Sequence, residues 1–219
     1  MKNLLKRNIK NLVSPFPYRY YFLRKKIIFI HIPKAAGTSV LNLLGNHSSR
    51  DHATWYEYSV ADIERFKSYH KFTVVRNPFD RLVSTYRYLM RGGNQSSDMR
   101  WKETVFSNCE SFDQFVEKYI NEDFIYRSRM FWPQHMFLFN EFGDLMVDDV
   151  LKFESLSRDW IGLSERVGLS PHLKKLNSSS GNSADIVLSS QVMGTIFSVY
   201  RRDFELLGYE KRLDTQGLS

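Results

Sequence analysis

The sequence predicts an α/β fold with a mainly parallel sheet. Two short β-rich apolar runs, Ile27-Ile-Phe-Ile-His-Ile32 and Phe72-Thr-Val-Val75, each lead through a turn into a helical pattern, as a βαβ unit begins. Strand and helix signals alternate along the rest of the chain, with no internal repeat and no linker. The 219 residues, 42% of them hydrophobic, supply one sizeable core and argue against a second.

The first run is short, apolar and β-branched, so it reads as a buried strand. Gly37-Thr-Ser-Val-Leu-Asn-Leu-Leu44 follows with apolar residues at 40, 41, 43 and 44, a helix with one face inward. Ser59-Val-Ala-Asp62 has the spacing of a capping box and predicts a short helix starting there. After the second strand, Asn77-Pro78 offers an N-cap and a proline at the first helical position, and the helix should end at Gly92-Gly93. Residues 92–110 are polar and irregular and read as a mobile surface loop. Ser111 opens another helix. Leu145–Phe153 is strand-like but interrupted by Asp148-Asp149, and Ser155–Val167 is a helix stopped by Gly168. Residues 177–183 form a flexible loop, and Ser189–Leu207 one long C-terminal helix.

The formal net charge of +7 is unevenly placed. Residues 1–26 hold eight Lys or Arg and no acid, whereas the remainder has 23 basic against 24 acidic residues. The basic character therefore belongs to an N-terminal extension, 1–26, and not to the single domain expected over 27–219. A nucleic-acid footprint across the fold is excluded. Interleaved with Phe16, Tyr18, Tyr20, Tyr21 and Phe22, the extension suits either a peripheral contact with an anionic membrane or a solvated cover on the domain. The apolar run Ile27–Ile30 falls far short of the roughly 20 residues a spanning helix needs, so a cytoplasmic chain is expected. Cys109, the one cysteine, cannot form an internal disulfide or a cysteine metal site and reads as an inert thiol.

The chemistry concentrates at His31-Ile-Pro-Lys-Ala-Ala-Gly-Thr-Ser39. A loop between a buried strand and a helix start turns backbone N–H groups toward an anion, and the helix dipole reinforces them. Here Pro33 restrains the turn, Lys34 adds a full charge, Ala35 and Ala36 are small, Gly37 allows close backbone approach, and Thr38 and Ser39 add hydroxyls. A Walker A loop, the mark of a kinase using ATP and magnesium, fits less well: the lysine precedes the only glycine by three residues and the first glycine is missing. A second basic group follows the second strand, where Arg76 can offer a bidentate fork to a phosphate or pair with Asp80. Ser84 lies about two helical turns further on and meets the same anion only if its helix packs across the loop.

Phe29-Ile-His-Ile-Pro-Lys-Ala-Ala-Gly-Thr-Ser39 resembles the 5′-phosphosulfate loop of the carbohydrate sulfotransferase family of Golgi and bacterial enzymes. Phe72-Thr-Val-Val-Arg-Asn-Pro-Phe-Asp-Arg-Leu-Val-Ser84 resembles its 3′-phosphate motif. Weaker similarities follow in order at Asp51-His-Ala-Thr54, Trp132-Pro-Gln-His135, Val150–Leu156 and Asp203–Tyr209, so the likeness spans about residues 27–210. Relatives more often have Thr-Gly or Ala-Gly where this chain has Ala35-Ala36. The resemblance implies a P-loop NTPase-like three-layer sandwich. It implies a metal-free enzyme moving sulfate from 3′-phosphoadenylyl sulfate (PAPS) to a hydroxyl, with a saccharide or glycoconjugate as partner. It assigns residues 34–39 to the 5′ end of the donor and Arg76 and Ser84 to the 3′-phosphate. Many eukaryotic members carry an N-terminal membrane anchor; the expectation here is a bacterial-type enzyme or a truncated one.

Sulfuryl transfer proceeds by in-line attack of an acceptor oxygen with an anionic phosphate leaving, so it needs charge stabilisation and a base. Lys34 suits the first. For the second, His52 is the choice among six histidines, because it falls where relatives carry their base; His135 and Glu57 are alternatives. Trp55, Tyr56, Trp101 and Trp132 offer faces for a sugar or for the core. A membrane-peripheral binding protein without catalysis is the third reading, which requires that loss of residues 1–26, and not of Lys34, ends function. The acceptor and the oligomeric state are not legible.

Overall fold

The computed structural model describes residues 16–45, 51–173 and 186–210. In chain order the first half contains α1 (Tyr20–Lys25), β1 (Ile27–Ile30), α2 (Gly37–Leu43), α3 (Trp55–Ala61), α4 (Ile63–Ser68), β2 (His70–Val75) and α5 (Pro78–Met90). Then come α6 (Ser96–Thr104), α7 (Phe112–Tyr119), α8 (Glu122–Ile125), β3 (Asp149–Lys152), α9 (Leu156–Val167), α10 (Ser190–Val199) and α11 (Arg201–Leu207). They fall into two compact units, Met1–Val75 with Met136–Ser178, and Arg76–His135 with Ser179–Ser219.

The first unit holds a small parallel sheet in the order β1-β2-β3, in register Phe29↔Phe72 and Val74↔Leu151. All four residues of β1 are buried, as a strand covered on both faces requires, and this is why it reads as an unbroken apolar run. Phe29 stacks on Phe72, 5.1 Å between ring centres, and Phe72 meets the edge of the fully buried Trp160 from α9. Each such side chain removed from water contributes about 1.5–3 kcal/mol. Parallel pairing also brings the C-terminal ends of β1 and β2 to the same edge of the sheet, so residues 31–36 leave the sheet from the edge at which β2 ends.

The extension is partly built into this unit. Tyr18, Arg19 and Phe22 are buried, and the Tyr18 hydroxyl donates to the carbonyls of Tyr58 and Asp62. Burial pushes the Tyr18 and Tyr58 phenols well above their ordinary range, so both stay neutral donors.

The second unit packs α5, α6, α7 and α8 with α10 and α11 around an aromatic core containing Phe79, Tyr86, Phe106, Phe115, Phe131 and Phe204. Asn77 caps α5 as expected, its side chain accepting from Phe79 N–H at 3.0 Å behind Pro78.

Four expectations change. The capping box is Thr54 with Glu57, not Ser59 with Asp62; Ser59 lies inside α3, and Asp62 instead caps α4. The supposed loop 92–110 contains α6 and a 3₁₀ turn at Phe106–Asn108. Its polar residues face water, while Trp101 meets the rings of Phe124 and Phe131 and Phe106 sits in the core, so a few well-spaced apolar residues hold it. Asp149 begins β3 and does not interrupt it. The C-terminal helix breaks at Tyr200 (φ −105°, ψ 21°), whose ring is buried and whose hydroxyl donates to Phe131 O at 2.8 Å. The loop expected at 177–183 lies outside the described residues.

Candidate functional site

Between β1 and α2 the backbone makes an unusual turn. Lys34 (φ 66°) and Ala36 (φ 59°) both take the left-handed region, while Ala35 between them does not. An L-residue there costs about 1–2 kcal/mol, so the surroundings must hold it. Ala35 is fully buried, its N–H donating to Ile32 O, and Ser39 N–H closes onto Ala36 O at 3.1 Å. Alternating handedness of this kind turns successive N–H groups toward one side, which makes a concavity for an anion. Ala36 is the N-cap of α2, so the first-turn N–H groups and the half-buried Thr38 stand at the same place.

Gly37 has a different reason from the one expected. Its φ is not positive, but a Cβ built there would stand 1.8 Å from His31 Nε2. The close approach is by the imidazole of His31, which is buried and stacked on Phe29 at 5.7 Å.

His52 comes to this loop. Its Nδ1 is 3.0 Å from the carbonyl oxygen of His31, and the two imidazole centres are 4.3 Å apart. A carbonyl only accepts, so Nδ1 carries the proton of this bond, and in the neutral ring the lone pair is on Nε2. Beside it Asp51 is paired with Arg19 at 2.6 Å, and Arg19 is itself nearly buried. The basic extension thus braces the segment bearing His52, a role that no local pattern in the sequence announces. Glu57, the alternative base, accepts from both the N–H and the hydroxyl of Thr54, so its carboxylate serves the helix cap.

In the second unit, Arg76 follows the last residue of β2 and Ser84 lies half-buried within α5. The Gln134 side chain holds the backbone of Arg76 on both sides of its Cα: Arg76 N–H donates to its Oε1 at 2.9 Å, and its Nε2 donates to Arg76 O at 2.8 Å. The N–H groups of Gln134 and His135 in turn donate to the fully buried Asp203, as does His135 Nδ1. Arg81 of α5 reaches the same segment: its guanidinium donates to the carbonyls of Met130 and Trp132. The Trp132-Pro-Gln-His135 similarity does not single out Gln134 as a clamp; a polar residue between Pro133 and His135 carries no such signal.

The aromatic candidates separate. Trp101 belongs to the core, Trp55 ties its Nε1–H to Phe139 O, and Trp132 Nε1–H donates to Tyr126 O while its ring lies under Arg129. Tyr56 is exposed. Cys109 is buried with its thiol pushed up by burial, which does not suit a nucleophile. Among the described residues no group of three or more His, Cys, Asp or Glu is arranged to hold a metal ion, and no helix is long and apolar enough to cross a membrane.

A family model described as the sulfotransferase family matches residues 21–210. No curated protein and no solved structure matches the chain.

Proposed function

The chain belongs to the sulfotransferase family and is a transferase enzyme; from that premise we propose that it carries the sulfuryl group of PAPS to a hydroxyl of a saccharide or glycoconjugate. Residues 34–39 (Lys34, Ala35, Ala36, Gly37, Thr38 and Ser39) receive the 5′-phosphosulfate, and Arg76 and Ser84 the 3′-phosphate. The same reading carries a P-loop NTPase-like three-layer arrangement.

The observation that supports it best is the turn at 34–36. Two left-handed residues, one of them Lys34 itself, and a helix start suit a dianionic group, and His52 is held on the carbonyl of His31, just before this turn, with Nε2 as its basic atom. The acceptor oxygen attacks sulfur as the bond from sulfur to the bridging oxygen breaks. The electron pair leaves on the 5′-phosphate, where the Lys34 ammonium offsets the growing charge. The acceptor proton passes to His52 Nε2. His52 Nδ1–H, fixed on the His31 carbonyl, keeps the ring in the tautomer that this requires.

Calorimetric titration of the whole chain with adenosine 3′,5′-bisphosphate, beside ATP with magnesium, tests this reading. Binding of the bisphosphate without metal is expected. Binding of magnesium ATP alone would overturn it.

A further inference from the structure

Arg76 stands one residue past the end of the β2 ladder, where a strand's peptide groups lose their partners. The side-chain amide of Gln134 replaces them. An amide that accepts from a residue's N–H and donates to the same residue's C=O ties the two peptide groups flanking that Cα together, which one hydrogen bond does not. Gln134 is itself fully buried, and so is the Asp203 carboxylate that takes its N–H at 2.7 Å. The segment carrying Gln134 is held from two more directions, by Arg81 on Trp132 O at 2.7 Å and by the Tyr200 hydroxyl on Phe131 O at 2.8 Å. A buried relay therefore runs from Asp203 through Gln134 to the backbone of Arg76.

We infer that Gln134, anchored by Asp203, is a positioning residue that aims the Arg76 guanidinium at the 3′-phosphate of the donor nucleotide. Holding both peptide groups that flank its Cα fixes the base from which the arginine side chain reaches, so less positional freedom is left to lose on binding. The inference rests on the assignment of Arg76 to the 3′-phosphate.

The test compares two nucleotides that differ only in that phosphate, adenosine 3′,5′-bisphosphate and adenosine 5′-monophosphate, by calorimetry on the full chain. Wild type, Arg76→Ala, Gln134→Ala and the near-isosteric Gln134→Met are titrated with each, and the Gln134 variant that retains a cooperative melt is the one read. Wild type should prefer the bisphosphate, and Arg76→Ala should erase the preference. The Gln134 variant should shrink it roughly 10–100-fold, the scale of a misplacement near 1 Å, while its affinity for the monophosphate stays at the wild-type value. In turnover the same variant should raise the donor KM with the acceptor KM unchanged. A Gln134 variant that keeps the wild-type preference while Arg76→Ala loses it, or that weakens both nucleotides equally, overturns the positioning role. Wild type showing no preference, or Arg76→Ala keeping it, fails the assignment of Arg76 and so the reading beneath.

Discussion

The imidazole of His31 occupies the space that any side chain at position 37 would need, with Nε2 only 1.8 Å from where a Cβ on Gly37 would stand. Because the ring is buried against Phe29, it has nowhere to swing. Gly37→Ala is expected to destabilise the fold by about 1–3 kcal/mol, as overpacking does. The double variant His31→Ala/Gly37→Ala should recover part of this loss. Denaturant melts of both singles and the double give the coupling energy, and strict additivity would refute the contact.

Lys34 holds a left-handed backbone for which glycine is better suited. Replacing it with glycine should raise stability by up to about 1 kcal/mol, since the penalty on an L-residue disappears. Sulfuryl transfer should nevertheless fall by roughly 10²–10³, as when a group that stabilises the leaving charge is removed. Thermal melting and turnover of Lys34→Gly and Lys34→Ala separate the two effects; retained turnover in both would remove Lys34 from the chemistry.

His52 is expected to work as the neutral base, so acid, which protonates an imidazole, should lower the rate. His52→Gln should lower kcat by roughly 10²–10⁴ and flatten that profile. His135, whose Nδ1 is tied to Asp203, belongs to the support of Gln134. His135→Gln should therefore keep the acid limb. A profile lost in His135→Gln and kept in His52→Gln would exchange the roles.

Cys109 is buried, with its thiol donating to Val105 O at 3.6 Å, and burial raises its pKa above the ordinary thiol value. A raised pKa leaves less thiolate at any pH below it, and access is poor as well. Labelling of the native chain with iodoacetamide at pH 8 should be much slower than labelling in denaturant. Equal rates would contradict both causes.

Local patterns foretold a good deal. The runs read as strands at 27–32 and 72–75 became paired parallel strands, β1 ending at Ile30 and β2 starting already at His70; a doubly covered strand must be largely apolar, and the one buried hydroxyl, of Thr73, donates to Ile30 O. Asn77 with Pro78 and the left-handed Gly168 marked helix ends, since caps are short-range chemistry. The loop at 34–39 was legible for the same reason: its strand, charge and helix start are neighbours in sequence.

What escaped the sequence depended on partners far along the chain. Residues 92–110 looked irregular because their helical order comes from Trp101 meeting Phe124 and Phe131. The break at Tyr200 comes with a buried ring and a hydroxyl bound to Phe131, 69 positions away, which no propensity encodes. The demand for glycine at 37 was visible, but its cause, the His31 ring, was not.

By itself, then, the sequence determined an α/β chain, through the periodicity of its elements, and a family whose chemistry is sulfuryl transfer, through contiguous motifs after its first two strands. Tertiary structure alone decided which side chains hold the candidate residues: Arg19 on Asp51 beside His52, and Asp203 through Gln134 onto Arg76. Those ties join groups tens of residues apart, and only the folded chain, which withdraws them from water and leaves them each other as partners, selects them.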